Sequence, residues 1–255
     1  NVSVDYHEMG SEATYYFAPG IATRTHPLIP NEGMQLVSKV VKPAEEFMDA
    51  QKRLYFHGDR YDHFFLGKGA GFPLVNGGIG ILHEASSARG VQINTSNGLR
   101  TYRENILKHF RTSIANAKGA MNHRTELLEY QKNFYKNASN RAKNHEIKAY
   151  VFNAQEDKAR LYHFVELLDF HRIEVHELKE NITEDNKTYR SGNAYIVPLN
   201  QPQHTLIRAM FDSIATFEDT KFYDVSTWTL PLSFGMDYAP LLNNNSVKKV
   251  LGSKI

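Results

Sequence analysis

The stretch "GIGILHEASSARG", residues 78–90, decides the architecture of the first part of the chain. Its run 79–82 is continuous and apolar, and a short run of this kind predicts a strand buried on both faces of a sheet. The run is followed directly by His83 and Glu84. We therefore predict a central strand that ends on a His-Glu pair.

A second stretch of the same design opens the chain. In "SVDYHEMGSEATYYFAPG", residues 3–20, a short β-rich run is followed by His7 and Glu8. Ligands in open α/β sheets bind beyond the carboxyl ends of strands. If the two strands are neighbours in one sheet, His7 and Glu84 should converge at one cleft.

Composition narrows the class of protein. The 255 residues, 41% of them apolar, suffice for one or two domains. Lys and Arg total 30 against 28 Asp and Glu, with the signs interspersed, so the net charge of +2 gives no reason to expect a nucleic-acid partner. The chain has no cysteine, which excludes disulfides, thiol catalysis and Cys-ligated zinc. No membrane span or signal peptide is visible in the sequence.

The first domain should extend over residues 1–143. An amphipathic helix is predicted to begin near Asn31, with Pro43 kinking it or dividing it in two. A glycine-rich loop and a buried strand are predicted to follow this helix. Residues 99–143 are predicted to form one long helix or a helical pair.

The second domain should occupy residues 144–255. Strands are predicted at 147–154, 173–178 and 193–200, and helices at 156–172 and 202–215. Strands that alternate with helices of this length predict βαβ units and a mainly parallel sheet. The final stretch, "YAPLLNNNSVKKVLGSKI", has weak periodicity and is interpreted as a linker.

Two residues are the best candidates for chemistry. His7 at a strand end suits zinc ligation, although a lone His is also a common structural residue. Glu84 after a buried strand would be partly desolvated, which raises a carboxyl pKa and suits a general base, unless the side chain simply enters solvent.

Other patterns favour structural roles. The His-x-x-Glu pairs at His123, His163 and His171 are typical of solvated helix faces. The stretch "GKGAG", 67–71, lacks the spacing of a phosphate loop and is interpreted as a tight loop that borders a cleft.

The order of these elements resembles a known family. A strand with "VSVDYHEMG", a helix, a Gly-rich loop, "GIGILHEASSARG" and a long helix resemble the C-terminal half of the carboxypeptidase A-type zinc metallopeptidases. The remainder, including "FYDVSTWTLPLSFG", resembles the class I glutamine amidotransferase-like domain that follows the peptidase in large bacterial members. The resemblance implies a partial carboxypeptidase-like mixed sheet with helices, followed by a flavodoxin-like α/β domain, with truncation of the second domain left open.

The resemblance also implies an activity. It makes His7 one zinc ligand and Glu84 the general base, and it makes Tyr61 and Arg89 candidates for substrate binding. The other zinc ligands would lie upstream of this chain, so the intact parent would be a periplasmic or secreted zinc carboxypeptidase acting on peptide C-termini, and the fragment alone would be inactive. Without cysteine the second domain lacks the amidotransferase nucleophile. The alternative is a non-catalytic peptide-binding module with a degenerate peptidase site.

Overall fold

The computed structural model describes residues 1–155, 157–214 and 229–255. They form two compact units, which divide between Lys132 and Asn133. The sequence pattern predicts a boundary between residues 143 and 144. Both units combine helices with sheets, so the predicted α/β class is confirmed.

The first unit contains a three-stranded sheet, a two-stranded hairpin and several helices. Its strands are β1 (Val2–Met9), β2 (Tyr15–Phe17), β3 (Ile79–Ser86), β4 (Gln92–Thr95) and β5 (Gly98–Thr101). Its helices are α1 (Asn31–Ala50), α2 (Tyr102–Asn122) and most of α3 (Arg124–Lys136), with short 3₁₀ helices at Ala22–Arg24 and Phe72–Val75.

The three-stranded sheet has the order β1-β3-β2. Strand β1 pairs parallel with β3, and β2 pairs antiparallel with β3, so the sheet is mixed, whereas its likeness to the carboxypeptidase sheet stays a prediction. The prediction that both strands end at their His-Glu pairs is wrong. The ladder continues until Met9 pairs with Ser86, because the buried Ala85 and Ser86 extend the central strand. His7 and Glu84 therefore lie within the sheet.

The helices also differ from the prediction. Helix α1 is continuous through Pro43, which lies on its partly exposed side, where water can satisfy the carbonyl left without an N–H. Its cap is Pro30, and Asn31 is the first helical residue. Instead of one or two helices, the region 99–143 holds the end of β5 followed by α2, α3 and α4 (Ala138–Asn144). No helix among the described residues is long and apolar enough to cross a membrane.

The second unit contains a five-stranded sheet, a hairpin and short helices. Its strands are β6 (Ala149–Asn153), β7 (His176–Leu178), β8 (Ile182–Glu184), β9 (Lys187–Tyr189), β10 (Tyr195–Pro198), β11 (Asp237–Leu241) and β12 (Leu251–Lys254). Its helices are α4, α5 (Lys158–Phe170), α6 (His204–Phe211), α7 (Leu230–Ser233) and α8 (Asn244–Val250).

The prediction of a mainly parallel, flavodoxin-like sheet in this unit is wrong. The sheet order is β11-β6-β10-β7-β12, and all four pairings between described strands are antiparallel. Strands β6 and β7, which α5 connects, do run in the same direction, as a βαβ unit requires. They are separated by β10, which pairs antiparallel with both.

The stretch 238–255 is not a linker. It supplies most of β11 and all of α8 and β12, and its apolar side chains Leu241, Val247 and Val250 belong to the core of the second unit. The Asn run misled the prediction because Asn243 caps α8, accepting a hydrogen bond from the Asn245 N–H at 2.7 Å. Of the stretch "FYDVSTWTLPLSFG", residues 222–228 lie outside the described residues.

Candidate functional site

The first unit contains a cleft of about 300 Å³ beside the β1–β3 pair. Side chains from both strands and from the loop that precedes β3 form its walls. They are Asp5, His7, Tyr61, Asp62, His63, Phe65, Lys68, Ala70, Gly71, Leu82 and Glu84. The cleft thus combines three carboxylates with two imidazoles, one ammonium group and one phenol.

Strand periodicity explains which residues reach the cleft. Successive side chains in a strand point to opposite faces, so Asp5 and His7 share the cleft face of β1, and Leu82 and Glu84 share that of β3. Because the strands are parallel and in register, His7 lies directly opposite Glu84. The convergence of these two side chains predicted from the sequence is confirmed.

Glu84 is the buried carboxylate of the cleft. The residue is 8% exposed, and its Oε2 is buried and accepts no hydrogen bond from the part of the chain that the structure describes. Burial raises the pKa of Glu84; the nearby His7 opposes this shift and the carboxylate of Asp5 adds to it. A carboxylate in this state is a stronger proton acceptor than an exposed glutamate.

Tyr61, which the family resemblance makes a candidate for substrate binding, lies beside Glu84 in the cleft. Burial, followed by the negative charge of Glu84, raises the pKa of Tyr61 to about 12, so its hydroxyl keeps its proton. As a hydrogen-bonding neighbour it lowers the pKa of Glu84. Its ring packs against Tyr16 with centroids 4.2 Å apart, which fixes its place in the wall.

His7 is held by a second carboxylate. Its Nε2 lies 3.1 Å from Asp5 Oδ1, and the His7 side chain is 56% exposed. A neutral imidazole that donates its Nε2 hydrogen to a carboxylate has a lone pair at Nδ1. This is the pairing by which carboxylates orient metal-ligating histidines in proteins.

The fit to a zinc ion is incomplete. Catalytic zinc usually takes three protein ligands, and no group of three His, Cys, Asp or Glu side chains able to hold a metal exists within residues 1–155, 157–214 and 229–255. His7 with its orienting carboxylate therefore suits one position of such a site and no more.

Several residues of the cleft wall were not predicted from the sequence. His63 is 3% exposed, burial lowers its pKa to about 4, and its Nε2 accepts a hydrogen bond from the Gly20 N–H. Lys68 Nζ lies 3.1 Å from Asp62 Oδ2. All of them lie on the loop before β3, where the sequence shows neither helical nor strand periodicity.

The glycines in and near this loop are the sequence signal from which its position could have been predicted. A Cβ on Gly80 would lie 2.0 Å from the Ala70 carbonyl oxygen, and one on Gly69 would lie 2.6 Å from Asp5 Oδ2. The loop 67–71 therefore runs directly against both site strands, at a distance that only glycine permits. The interpretation of "GKGAG" as a loop bordering a cleft is confirmed, since Gly71 lines it.

The other candidates lie elsewhere. Arg89 is exposed in the turn after β3, at a φ of 42°, and is not a lining residue of the cleft. In the pairs beginning at His123 and His163, Nδ1 lies 2.8 Å and 3.4 Å from the glutamate three residues on, at the helix surface. His171 is the cap residue at the end of α5.

Comparison with protein-family models, with curated proteins and with solved structures finds no match to this chain. The chemistry assigned to the cleft therefore rests on the geometry of its own side chains. The resemblance to zinc carboxypeptidases stays a prediction.

Proposed function

We propose that the cleft belongs to a zinc-dependent carboxypeptidase, which hydrolyses the C-terminal peptide bond of peptides or proteins. One observation carries the proposal. A buried carboxylate with a raised pKa, Glu84, and a carboxylate-oriented imidazole, His7, lie opposite each other in adjacent parallel strands and line the same cleft.

Glu84 would serve as the general base. It accepts a proton from the attacking water as the water oxygen bonds to the scissile carbonyl carbon. When the C–N bond breaks, Glu84 returns that proton to the leaving amine nitrogen, so protons balance over the cycle. The phenolic hydroxyl of Tyr61 lies beside this carboxylate and is suited to contact the substrate.

His7 would hold zinc together with ligands from outside the described residues. A bound zinc ion supplies Lewis-acid polarisation of the scissile carbonyl and of the attacking water. Asp5 keeps the His7 ring oriented. Arg89 is left out of the proposed site because it does not line the cleft. A periplasmic or secreted location is part of the same proposal.

The test is Glu84→Gln in the intact parent protein. Glutamine keeps the shape of the side chain but lacks the carboxylate that accepts the proton. Turnover of a blocked dipeptide should therefore fall by about 100-fold or more. The matched control is Glu126→Gln, which makes the same chemical change at the surface pair with His123 and should leave turnover unchanged. Turnover retained in Glu84→Gln would contradict the proposal.

A second candidate is a peptide-binding module without catalysis. It is favoured by the absence of a three-ligand metal group among the described residues. Calorimetric titration with a blocked peptide distinguishes the two functions. Binding by the intact parent without any zinc-stimulated turnover would select the binding module, and chelator-sensitive turnover would select the peptidase.

A further inference from the structure

The face of the β1–β3 pair opposite the cleft carries a buried network of hydrogen bonds, here called the His83 network. Asn116 Nδ2 lies 2.7 Å from His83 Nε2, and His83 Nδ1 lies 3.1 Å from the Tyr15 hydroxyl. The same hydroxyl lies 2.9 Å from His109 Nδ1. His109 Nε2 lies 3.2 Å from the main-chain carbonyl oxygen of His7. The network therefore ends on the candidate zinc ligand.

The carbonyl at the end fixes the direction of every bond. Because a carbonyl only accepts, His109 must donate its Nε2 hydrogen to His7, which leaves Nδ1 as an acceptor when the ring is neutral. Tyr15 must then donate to His109 Nδ1 and accept from His83 Nδ1. His83 Nε2 is left as an acceptor, and the amide of Asn116 presents its NH₂ group there, as this direction requires.

The network requires two neutral imidazoles in different tautomers. His83 should carry its hydrogen on Nδ1 and His109 on Nε2. Burial, with a smaller effect of His109, lowers the pKa of His83 to about 3. Burial also lowers the pKa of His109. His83 is therefore neutral near pH 7, in agreement with the bonding pattern.

We infer that the His83 network positions the backbone of His7 in the cleft, with Tyr15 and His109 as positioning residues. Strand β1 pairs only with β3 among the described strands, so its outer side lacks the second ladder that holds a central strand. The hydrogen bond from His109 of α2 to the main-chain carbonyl of His7 replaces part of that support. The role in catalysis rests on the proposed function, whereas the bonding pattern does not.

Two further contacts, both between aromatic rings, help to hold β1 in place. Tyr6, next to His7, stacks on the His83 ring with centroids 4.9 Å apart and meets the His109 ring edge-on at the same distance.

Thr112 Oγ1 lies 2.9 Å from the Tyr15 hydroxyl but also 2.9 Å from the Lys108 carbonyl oxygen. Thr112 is therefore a side branch, and its removal leaves the path to His7 intact.

The first test measures the tautomers in the unaltered chain. Long-range ¹H–¹⁵N correlation spectra at pH 7.5 distinguish a protonated ring nitrogen from an unprotonated one. We expect His83 in the Nδ1–H form and His109 in the Nε2–H form. The opposite tautomer in either ring, or a doubly protonated His109, would overturn the inference. This result needs no variant and no enzymatic activity.

The second test breaks and restores the last bond. His109→Leu removes the donor to the His7 carbonyl, whereas His109→Gln offers an amide hydrogen at a similar reach. The backbone ¹⁵N and ¹³C signals around His7 should shift in the Leu variant and return toward their original positions in the Gln variant. Equal shifts in both variants would show a merely structural role.

The third test connects the network to turnover in the intact parent. Loss of an orienting partner typically reduces activity by about 10- to 100-fold, so Tyr15→Phe should lower kcat by about tenfold with little change in KM. Thr112→Val, which removes the side branch, is the matched control and should leave kcat unchanged. Comparable losses in both variants would refute the positioning role of Tyr15. If Glu84→Gln keeps full activity while the tautomers are as expected, the proposed function fails and the network stands.

Discussion

On the two faces of the β1–β3 pair, the adjacent residues His83 and Glu84 differ in how fully their side chains are hydrogen-bonded. On the side of α2, His83 is fully buried and both of its ring nitrogens are hydrogen-bonded. On the cleft side, the next residue, Glu84, has a buried carboxylate oxygen that accepts no hydrogen bond from the described residues. A buried side chain with all its hydrogen bonds made contributes to rigidity, whereas a buried polar atom without a partner calls for another explanation. Adjacent positions of one strand thus differ in how fully their polar atoms are paired.

The largest expected effect is on the face that carries His83. His83→Leu removes the partner of the Asn116 amide, at roughly 1–3 kcal/mol, and one of the partners of the Tyr15 hydroxyl, at about 1 kcal/mol, so the free energy of unfolding should fall by up to about 4 kcal/mol. Glu84→Gln should change it by less than about 1 kcal/mol, because no hydrogen bond to Oε2 is lost. Urea denaturation of both variants measures the contrast. Equal losses would abolish the distinction between the faces.

The next effect tests how closely the loop 67–71 covers the cleft face. In Gly80→Ala the new methyl group would overlap the Ala70 carbonyl, which lies 2.0 Å from the required position. Overpacking of this kind typically destabilises by about 1–3 kcal/mol, and we expect the upper end. Gly10→Ala is the matched control, since a Cβ there has no neighbour within 4 Å. If Gly80→Ala unfolds at the same urea concentration as the control, the loop does not press on β3.

The pH dependence of stability should have opposite signs on the two faces. The pKa of His83 is depressed to about 3, so its contribution is present above its ordinary pKa of 6.5 and is lost as pH falls toward 3. The pKa of Glu84 is raised, so its contribution is present at low pH and is lost as pH rises through the folded-state pKa.

The His83 part of this difference can be measured directly. Below pH 6 the unaltered chain should lose about 1.4 kcal/mol per pH unit more than His83→Gln, which cannot take up the proton. Urea denaturation between pH 7 and pH 4 gives both slopes. Parallel slopes would mean that His83 is protonated in the folded state.

The smallest effect concerns metal. With one imidazole and its orienting carboxylate on the cleft face, this chain should retain no stoichiometric zinc after dialysis against a weak chelator. Atomic absorption measures the retained metal, and His7→Asn is the control for adventitious binding. Stoichiometric zinc that disappears in His7→Asn would show that this face is more complete than the described ligands imply.

The strands that carry the site were predictable from sequence because their signals are local. A short apolar run before Glu84 and a β-rich run before His7 suffice to predict two strands, and side-chain alternation then places both residues on one face. Where the strands end was not predictable, because pairing beyond Glu84 depends on the partner strand. The cleft loop was missed because its order comes from contacts with β3 and not from any period of its own.

Strand direction in the second unit was beyond the reach of the sequence pattern. The alternation of strands and helices correctly indicates that β6 and β7 run the same way, but it cannot reveal that β10 inserts between them. Contact between helices is equally invisible to the sequence pattern. A Cβ on Gly119 of α2 would lie 2.0 Å from the Val40 carbonyl oxygen of α1, so only glycine permits the two helices to pack this closely.

The parallel pairing of β1 with β3 also bears on how the chain is made. During synthesis β1 leaves the ribosome first, and its partner follows only after α1 and the cleft loop have been added. Closing a loop of that length loses conformational entropy before the pairing gains contacts, so non-local parallel pairs form slowly. Until Glu84 has emerged, the strand that carries His7 is an unpaired edge, open to pairing with other chains. His7 and Glu84 are therefore brought together only after the whole segment between their strands has been made.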